Sequence, residues 1–441
     1  MTTLKKETYD VTTNSYYQKS KFDVFDQYNT EFWDIDETIS ELAYLTHDYF
    51  RYYGKFPSKV GRLIIEDRLN SNQLNTDEDF IFDNYEGSGT SLVEGKLFNL
   101  DSIGIDISPF AVLASNVKTR NYNVKKLEEI WITIQRDFYE IKNLVENNEN
   151  NIFTSNYYQV RLSIKHEFPD VEKWFRDIVI DDLAIIKSLL LNMPLSVERE
   201  FFLLAFFAIV RRVSRAHDGE VRPHVNLKKR ERDVFEAYSK KIGEMIDTMR
   251  EWNDVTNHNV SSVSKHINNI DIENVNKFLL GTKNKLNKEL GLVISHPPYL
   301  NCFDYIPVYK LKFLWAFGFQ EIFGEMDYNT IKKSEIKSYP VNDDKQVNRY
   351  FEHNIKVYKV IYENLRKEGS LAIVIGDCTV KKRLFSVHKT FIKLMEEIGF
   401  TVEKVVYRST HYGLGKYAYN HKANYHGEDS EKKEAIIIFK K

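Results

Sequence analysis

Ser295-His296-Pro297-Pro298-Tyr299 combines residue types that suit chemistry at an amine. Val293-Ile294 before it reads as the end of a buried strand, and two prolines cannot continue a ladder, because they lack N–H groups and hold φ near −65°. The chain must turn there, exposing backbone carbonyls beside an aromatic ring. Carbonyls that accept from an amino group, next to a ring that can stack on a base, suit methyl transfer to an exocyclic amine. A side chain at 295 or 296 would share the acceptor role; both positions stay open.

The other half of such a reaction lies upstream, in Asp83-Asn84-Tyr85-Glu86-Gly87-Ser88-Gly89-Thr90. Phe80-Ile81-Phe82 before it is a short apolar strand by pattern, and Leu92-Val93-Glu94-Gly95 after it begins a helix. Glycines at a strand-to-helix turn let the backbone approach a ligand, with free N–H groups pointing outward. A second strand, Ser102-Ile103-Gly104-Ile105, ends in Asp106, where a Rossmann-like sheet holds ribose hydroxyls.

In this order the segments resemble those of the DNA amino-methyltransferases that use S-adenosylmethionine. Asp83 to Thr90 is similar to their cofactor motif, Asp-Pro-Phe-x-Gly-Ser-Gly-Thr, with Asn84 in place of Pro. Gly104-Ile105-Asp106-Ile107-Ser108-Pro109 resembles the segment around ribose and adenine. Ser295 to Tyr299 resembles their Ser/Asn/Asp-Pro-Pro-Tyr, although His296 stands where Ser, Asn or Asp is expected. The continuation Leu300-Asn301-x-x-Asp304-Tyr305 resembles the cytosine-N4 branch. So does Thr46-His47 with Tyr53-x-Lys55-Phe56-Pro57, a segment that packs on the methionine end of the cofactor. The resemblance covers roughly residues 40–124 and 268–441. It implies a class I methyltransferase sheet and a cofactor site at Tyr53, Phe56, Pro57, Asp83, Tyr85, Gly87, Ser88, Gly89, Thr90, Asp106 and Ile107. It also implies a catalytic turn at Ser295, His296, Pro297, Pro298 and Tyr299, with Tyr299 stacking on a base swung out of double-stranded DNA. Cytosine N4 is favoured over adenine N6, in a restriction-modification setting with a cognate restriction endonuclease as partner.

Composition fits a soluble enzyme. The 441 residues suffice for one large domain with an insertion, or for two domains. No apolar run reaches membrane-spanning length, and the polar N-terminus is no signal peptide. Two cysteines, Cys302 and Cys378, imply a reducing, cytoplasmic compartment without a disulfide framework. Cys302 does not follow the prolines directly, so a thiol nucleophile of the cytosine-C5 kind is not expected. The scattered histidines have no zinc spacing, and no metal is expected. A net charge of −2 argues against nonspecific coating of nucleic acid, so DNA contact must come from a local patch.

One patch is visible between Arg211 and Arg232, where eight basic residues face three acidic ones. It follows Phe201–Val210, apolar on every side and hence a buried helix. Arg211, Arg212, Arg215 and Arg222, near Asp218-Gly219 and Arg222-Pro223, suit a phosphate grip. The alternative is a solvated helix end whose charges complement the helix dipole.

These anchors predict an α/β, Rossmann-like class I methyltransferase fold with a helical insertion. Residues 1–35 form an N-terminal extension over the surface. Residues 36–124 and 263–441 form the catalytic, S-adenosylmethionine-binding domain, with 36–70 helical. Residues 125–262 are a helical insertion and the region expected to read DNA. Segments near 402–407 and 435–439 resemble the closing antiparallel pair of such sheets, and Tyr417 and Tyr419 in the loop between them could stack on DNA. Two other classes remain: a catalytically silent DNA-binding or cofactor-binding subunit, motivated by His296, and an RNA or protein amino-methyltransferase.

Overall fold

The structure is a computed structural model that describes residues 28–409 and 433–441, except 34, 36, 39, 148–151, 325–327, 337, 342 and 381–382. Tyr417, Tyr419 and most of the N-terminal extension lie outside the described residues.

Strands form where β-branched and aromatic residues run together. In chain order they are β1 (Asn29–Phe32), β2 (Asp79–Asp83), β3 (Asp101–Asp106), β4 (Ser262–His266), β5 (Glu289–Ser295), β6 (Leu365–Gly376), β7 (Cys378–Val380), β8 (Arg383–Phe385), β9 (Thr401–Ser409) and β10 (Lys433–Lys440). Eight of them make one sheet in the order β1-β9-β10-β6-β5-β2-β3-β4, and β7 pairs with β8 in a small hairpin. β4, β3, β2, β5 and β6 run parallel, while β10 is antiparallel to both β6 and β9. The expected Rossmann-like α/β fold is present, closing antiparallel pair included. β1 extends the sheet by pairing parallel to β9, so the last residues of the extension cover a sheet edge.

The inner parallel strands β2, β5 and β6 carry buried apolar runs because both faces are covered, whereas β4 is polar toward its end. Alternate residues divide between the two faces: Phe80 and Phe82 face a core shared with the helices Ile272–Leu286, Asp344–Asn364 and Val387–Ile398. Ile81, Leu292 and Ile294 face the opposite core, shared with the helix Ser58–Asn70.

Between β3 and β4 the chain runs through the helices Pro109–Thr119, Val124–Glu146, Ile152–Glu167, Asp177–Asn192, Val197–Val213 and Val234–Val255. Ile152–Glu167 begins after the Asn-rich segment that follows Val124–Glu146. This block shares a single core with Tyr49, Phe50, Phe110 and the Tyr309–Phe323 segment. Helix Val197–Val213 is the hub of that core, with Phe201 to Phe207 fully buried.

One expectation for the elements needs correction. Residues 36–70 are helical only over Ser58–Asn70, preceded by short 3-10 turns at Glu41–Ala43 and Leu45–Asp48. Leu45 and Gly54 have positive φ, and Pro57 sits at the helix start, so a continuous helix cannot form.

The strand order reverses between β2 and β5. In open α/β sheets ligands bind outside the carboxyl ends of the strands at such a switch point. Asp83, Asp106 and Ser295 all end strands on that side.

Candidate active site

A partly open cleft of about 770 Å³ lies at the switch point. Its walls come from four places: Tyr52 with Gly54 to Phe56, Tyr85 to Gly87 and Thr90 of the glycine turn, the tip of β3 at Asp106 to Ser108, and His296 with Pro298. Asn268 and Asn269 beyond β4 and Tyr305, Ile306, Glu335 and Ile336 complete it.

The glycine turn is built for close approach. Gly87 and Gly89 have φ of +53° and +75°, and a Cβ at either would strike Tyr52 or Ser115. Gly89 caps the helix Thr90–Leu97. Asp106 ties the turn to β3, accepting from the N–H of Gly87 (3.0 Å) and of Ser108 (2.7 Å). Burial pushes its carboxyl up to about 7. Both its oxygens keep lone pairs for a ligand.

Several expected cofactor residues brace the cleft from behind. Asp83 accepts from Ser91 Oγ (2.6 Å) and the Tyr85 N–H (3.0 Å), and burial raises its carboxyl to about 7. The Ser88 carbonyl accepts from the buried Lys118 ammonium at 2.7 Å. Tyr85 lines the cleft, its hydroxyl donating to Asn354. Asn84, where the family has proline, exchanges amide bonds with Asn269. Phe56 and Ile107 are on the wall, but Pro57 only starts a helix and Tyr53 faces away. The Tyr53 ring lies under the guanidinium groups of Arg51 (4.9 Å) and Arg211 (5.1 Å), and Tyr52 takes its place on the wall.

The proline turn separates Ser295 from His296. The Ser295 hydroxyl is buried against Tyr358 OH at 2.7 Å, away from the cleft. His296 lines the cleft, its ring edge-on to Phe56 (5.2 Å) and Tyr299 (5.0 Å), and its buried Nε2 has no hydrogen-bond partner. Burial lowers its pKa to about 4, so the ring stays neutral at ordinary pH. The Pro298 carbonyl accepts from Tyr350 OH (2.8 Å), whereas that of Pro297 accepts no bond from the described residues. Tyr299 was expected to offer a stacking face, yet its ring is off the cleft wall and packs beside Gly376. Its hydroxyl donates to Glu434, which pairs with Arg408, and this buried pair turns the ring toward the sheet. Tyr305 is the ring that lines the cleft.

Four buried polar atoms of wall residues lack partners: Glu86 Oε2, Thr90 Oγ1, Ser108 Oγ and His296 Nε2. Unpaired buried polar atoms are costly, and their convergence on one cleft fits a polar ligand. The residues present therefore suit a polar ligand such as a nucleoside cofactor, with Asp106 and the glycine turn on one wall. Sequence reasoning missed Lys55, Glu86, Asn269, Tyr305 and Glu335 as wall residues. Gly104 carried a signal for Glu86, because a Cβ there would meet that carboxylate at 1.9 Å.

The arginine patch divides. Arg211 donates to the carbonyls of Val221 (2.7 Å), His217 (3.2 Å) and Glu220, so it staples its own loop. Arg215 donates to the Glu172 carbonyl at 2.7 Å. Arg212 is exposed. Arg222 reaches Asp304 Oδ2 at 3.4 Å and lies 5.2 Å from the Tyr339 ring, close to the proline turn. Among the described residues no helix is long and apolar enough to cross a membrane, and no cluster of three or more His, Cys, Asp or Glu could hold a metal.

No family model matches the chain. It is 25% identical over 264 residues to the Type II methyltransferase M.MvaI of Kocuria varians, which covers 58% of this chain and 53% of that protein. It is 34% identical over 101 residues to the Type II methyltransferase M.MjaII of Methanocaldococcus jannaschii, covering 22% of this chain and 18% of that one. The chain thus spans about half the length of the first relative and less of the second. Among solved structures, an rRNA methyltransferase, aviRa of Streptomyces viridochromogenes, aligns over 88% of this chain and 86% of its own at a TM-score of 0.31 and 8% identity, too slight to argue from. The sequence likeness is to Type II methyltransferases.

Proposed function

We propose that this chain is an S-adenosylmethionine-dependent DNA methyltransferase acting on an exocyclic amine, cytosine N4 ahead of adenine N6. The observation that carries the reading is one cleft lined by the glycine turn, Asp106 and His296, whose buried Nε2 has no partner. The likeness to two proteins named Type II methyltransferases supports it. A restriction endonuclease partner and a cytoplasmic setting rest on analogy with such proteins.

When bound, S-adenosylmethionine supplies an electrophilic methyl group. The chain's own part is geometric. The target base leaves the duplex, because its amine cannot reach the cleft while stacked. His296 Nε2, held unprotonated by burial, and the Pro297 carbonyl accept the amine protons. Phe56 and Tyr299 hold the imidazole edge-on, and Tyr350 fixes the turn through the Pro298 carbonyl. Those bonds would free the nitrogen lone pair for the methyl group that the cofactor would supply, whose S–C bond would break with its electron pair left on sulfur, and Nε2 would take the amine proton released and pass it to solvent. Positioning and fixed dipoles carry the rate. Tyr305 is the ring on the wall offered to the base.

A second reading, a silent cofactor-binding subunit, is favoured by one fact: His296 replaces the usual acceptor. Labelled S-adenosylmethionine incubated with the chain and mixed-sequence DNA, followed by sequencing of modified bases, separates the two. N4-methylcytosine at a defined site is expected. Cofactor binding with no label in DNA would leave the silent subunit standing.

A further inference from the structure

Building on the S-adenosylmethionine reading, we propose that Glu86, Asp106 and Glu335 make the cleft selective for a cationic sulfonium ligand. The neutral thioether left after methyl transfer is then held weakly, and loss of the charge favours release of the spent cofactor.

The three acidic residues line the cleft from separate parts of the chain. Glu86 stands on the glycine turn, Asp106 at the tip of β3, and Glu335 follows the helix Tyr328–Ser334 on the far wall. Among the described wall residues Lys55 is the single cation, and its ammonium is occupied by the His47 carbonyl at 3.2 Å. His296 is neutral. Glu86 is 4% exposed, and its Oε2 has no partner although Oε1 is bonded to Ser264. A carboxylate removed from water without a counter-charge is unfavourable, and a like charge nearby makes it more so. Burial raises the Asp106 and Glu335 carboxyls to about 7 and Glu86 further, with Asp106 adding to the rise at the other two. In the empty cleft these acids are therefore partly or wholly protonated near neutral pH, and a positive ligand draws them into the ionised form with release of protons. A neutral one of nearly the same shape does not, so the difference between them is electrostatic and is not a matter of fit.

Glu335 is the informative position. Its Oε1 accepts from the N–H groups of Tyr305 (2.5 Å) and Ile306 (3.4 Å), holding the segment that follows the proline turn. Glutamine keeps an oxygen for those bonds and removes the charge alone.

Titration calorimetry with S-adenosylmethionine and S-adenosylhomocysteine on the full chain, Glu335→Gln and Glu86→Gln tests the proposal. The parent should prefer the sulfonium ligand by roughly tenfold or more, the scale of one charge contact. Both variants should lose affinity for that ligand while binding the thioether about as before, so the ratio contracts toward one. Equal affinities in the parent, or variants that weaken both ligands alike, would overturn it while the cofactor reading stands. Binding of neither ligand by the parent would overturn the cofactor reading, and this proposal with it.

Discussion

His296 is the residue on which catalytic competence turns. Its ring is on the cleft wall with Nε2 unpartnered, while the Ser295 hydroxyl is held by Tyr358. An imidazole accepts a hydrogen bond only when neutral, since imidazolium carries donors alone. Burial lowers its pKa from about 6.5 to about 4, so the acceptor persists through mildly acid pH and is lost as pH falls through about 4. Turnover should therefore lack an acid limb near pH ~6.5 that is assignable to this residue. His296→Ser should keep substantial turnover and Ser295→Ala should be mild, whereas His296→Ala should lose most turnover and keep cofactor affinity. Rate-against-pH curves for the parent and the three variants check this. A dead Ser295→Ala beside a normal His296→Ala would return the acceptor role to Ser295. The sequence showed the residue before the prolines but not which side chain enters the cleft, because that depends on the bend after β5.

At the scale of elements, the loop after helix Val197–Val213 behaves as a stapled hairpin, with a bridge between Ala216 and Val225. Arg211 and Lys229 hold it from inside, Lys229 donating to the Ala216 carbonyl and to Asp218, both at 2.8 Å. Buried cations that satisfy loop carbonyls contribute to order and have few donors left for phosphate. Arg212 is exposed and Arg222 is 42% exposed in its side chain, so of the four arginines these two are the ones proposed for DNA contact. Arg212→Ala and Arg222→Ala should each lower the salt-dependence slope of DNA binding by about 0.9. Arg211→Ala should leave the slope unchanged and cost about 1–3 kcal/mol of stability by orphaning loop carbonyls. Affinities across a salt series, paired with denaturant unfolding, separate the two roles. Counting arginines revealed the patch, but its division into staples and free charges depends on which carbonyls the loop brings within reach.

At the scale of the molecule, one core joins the inserted helices to the wall of the cleft, because Tyr52 and Tyr309 belong to the same cluster as Phe201 to Phe207. The Tyr52 and Tyr309 rings stack at 5.2 Å. Ligand in the cleft is thus coupled to the packing of the whole helical block. S-adenosylmethionine at a hundredfold excess over Kd should stabilise the fold by about 2.7 kcal/mol and raise Tm by a few degrees. Asp106→Ala should abolish most of that rise, since each charge-assisted bond to a ribose hydroxyl is worth roughly 1.5–3 kcal/mol. Thermal melts with and without ligand read the effect; an equal rise in the mutant would remove Asp106 from the site.

What the sequence alone determined is local. Apolar runs closed by glycines, an Asp or prolines give the parallel strands, the glycine turn and the sharp bend after β5, because each depends on φ preferences and side-chain type over a few residues. Residues 402–407 and 435–439 were legible as a strand pair through their resemblance to the closing pair of methyltransferase sheets, and they pair antiparallel. The tertiary structure decided what those turns face. Glu335 joins the cleft only because the chain folds back to meet Tyr305, and Tyr53 leaves it because two arginines take its ring. Tyr299 turns to Glu434, a partner 135 residues away. Such choices follow from long-range packing and burial, which neither spacing nor composition records.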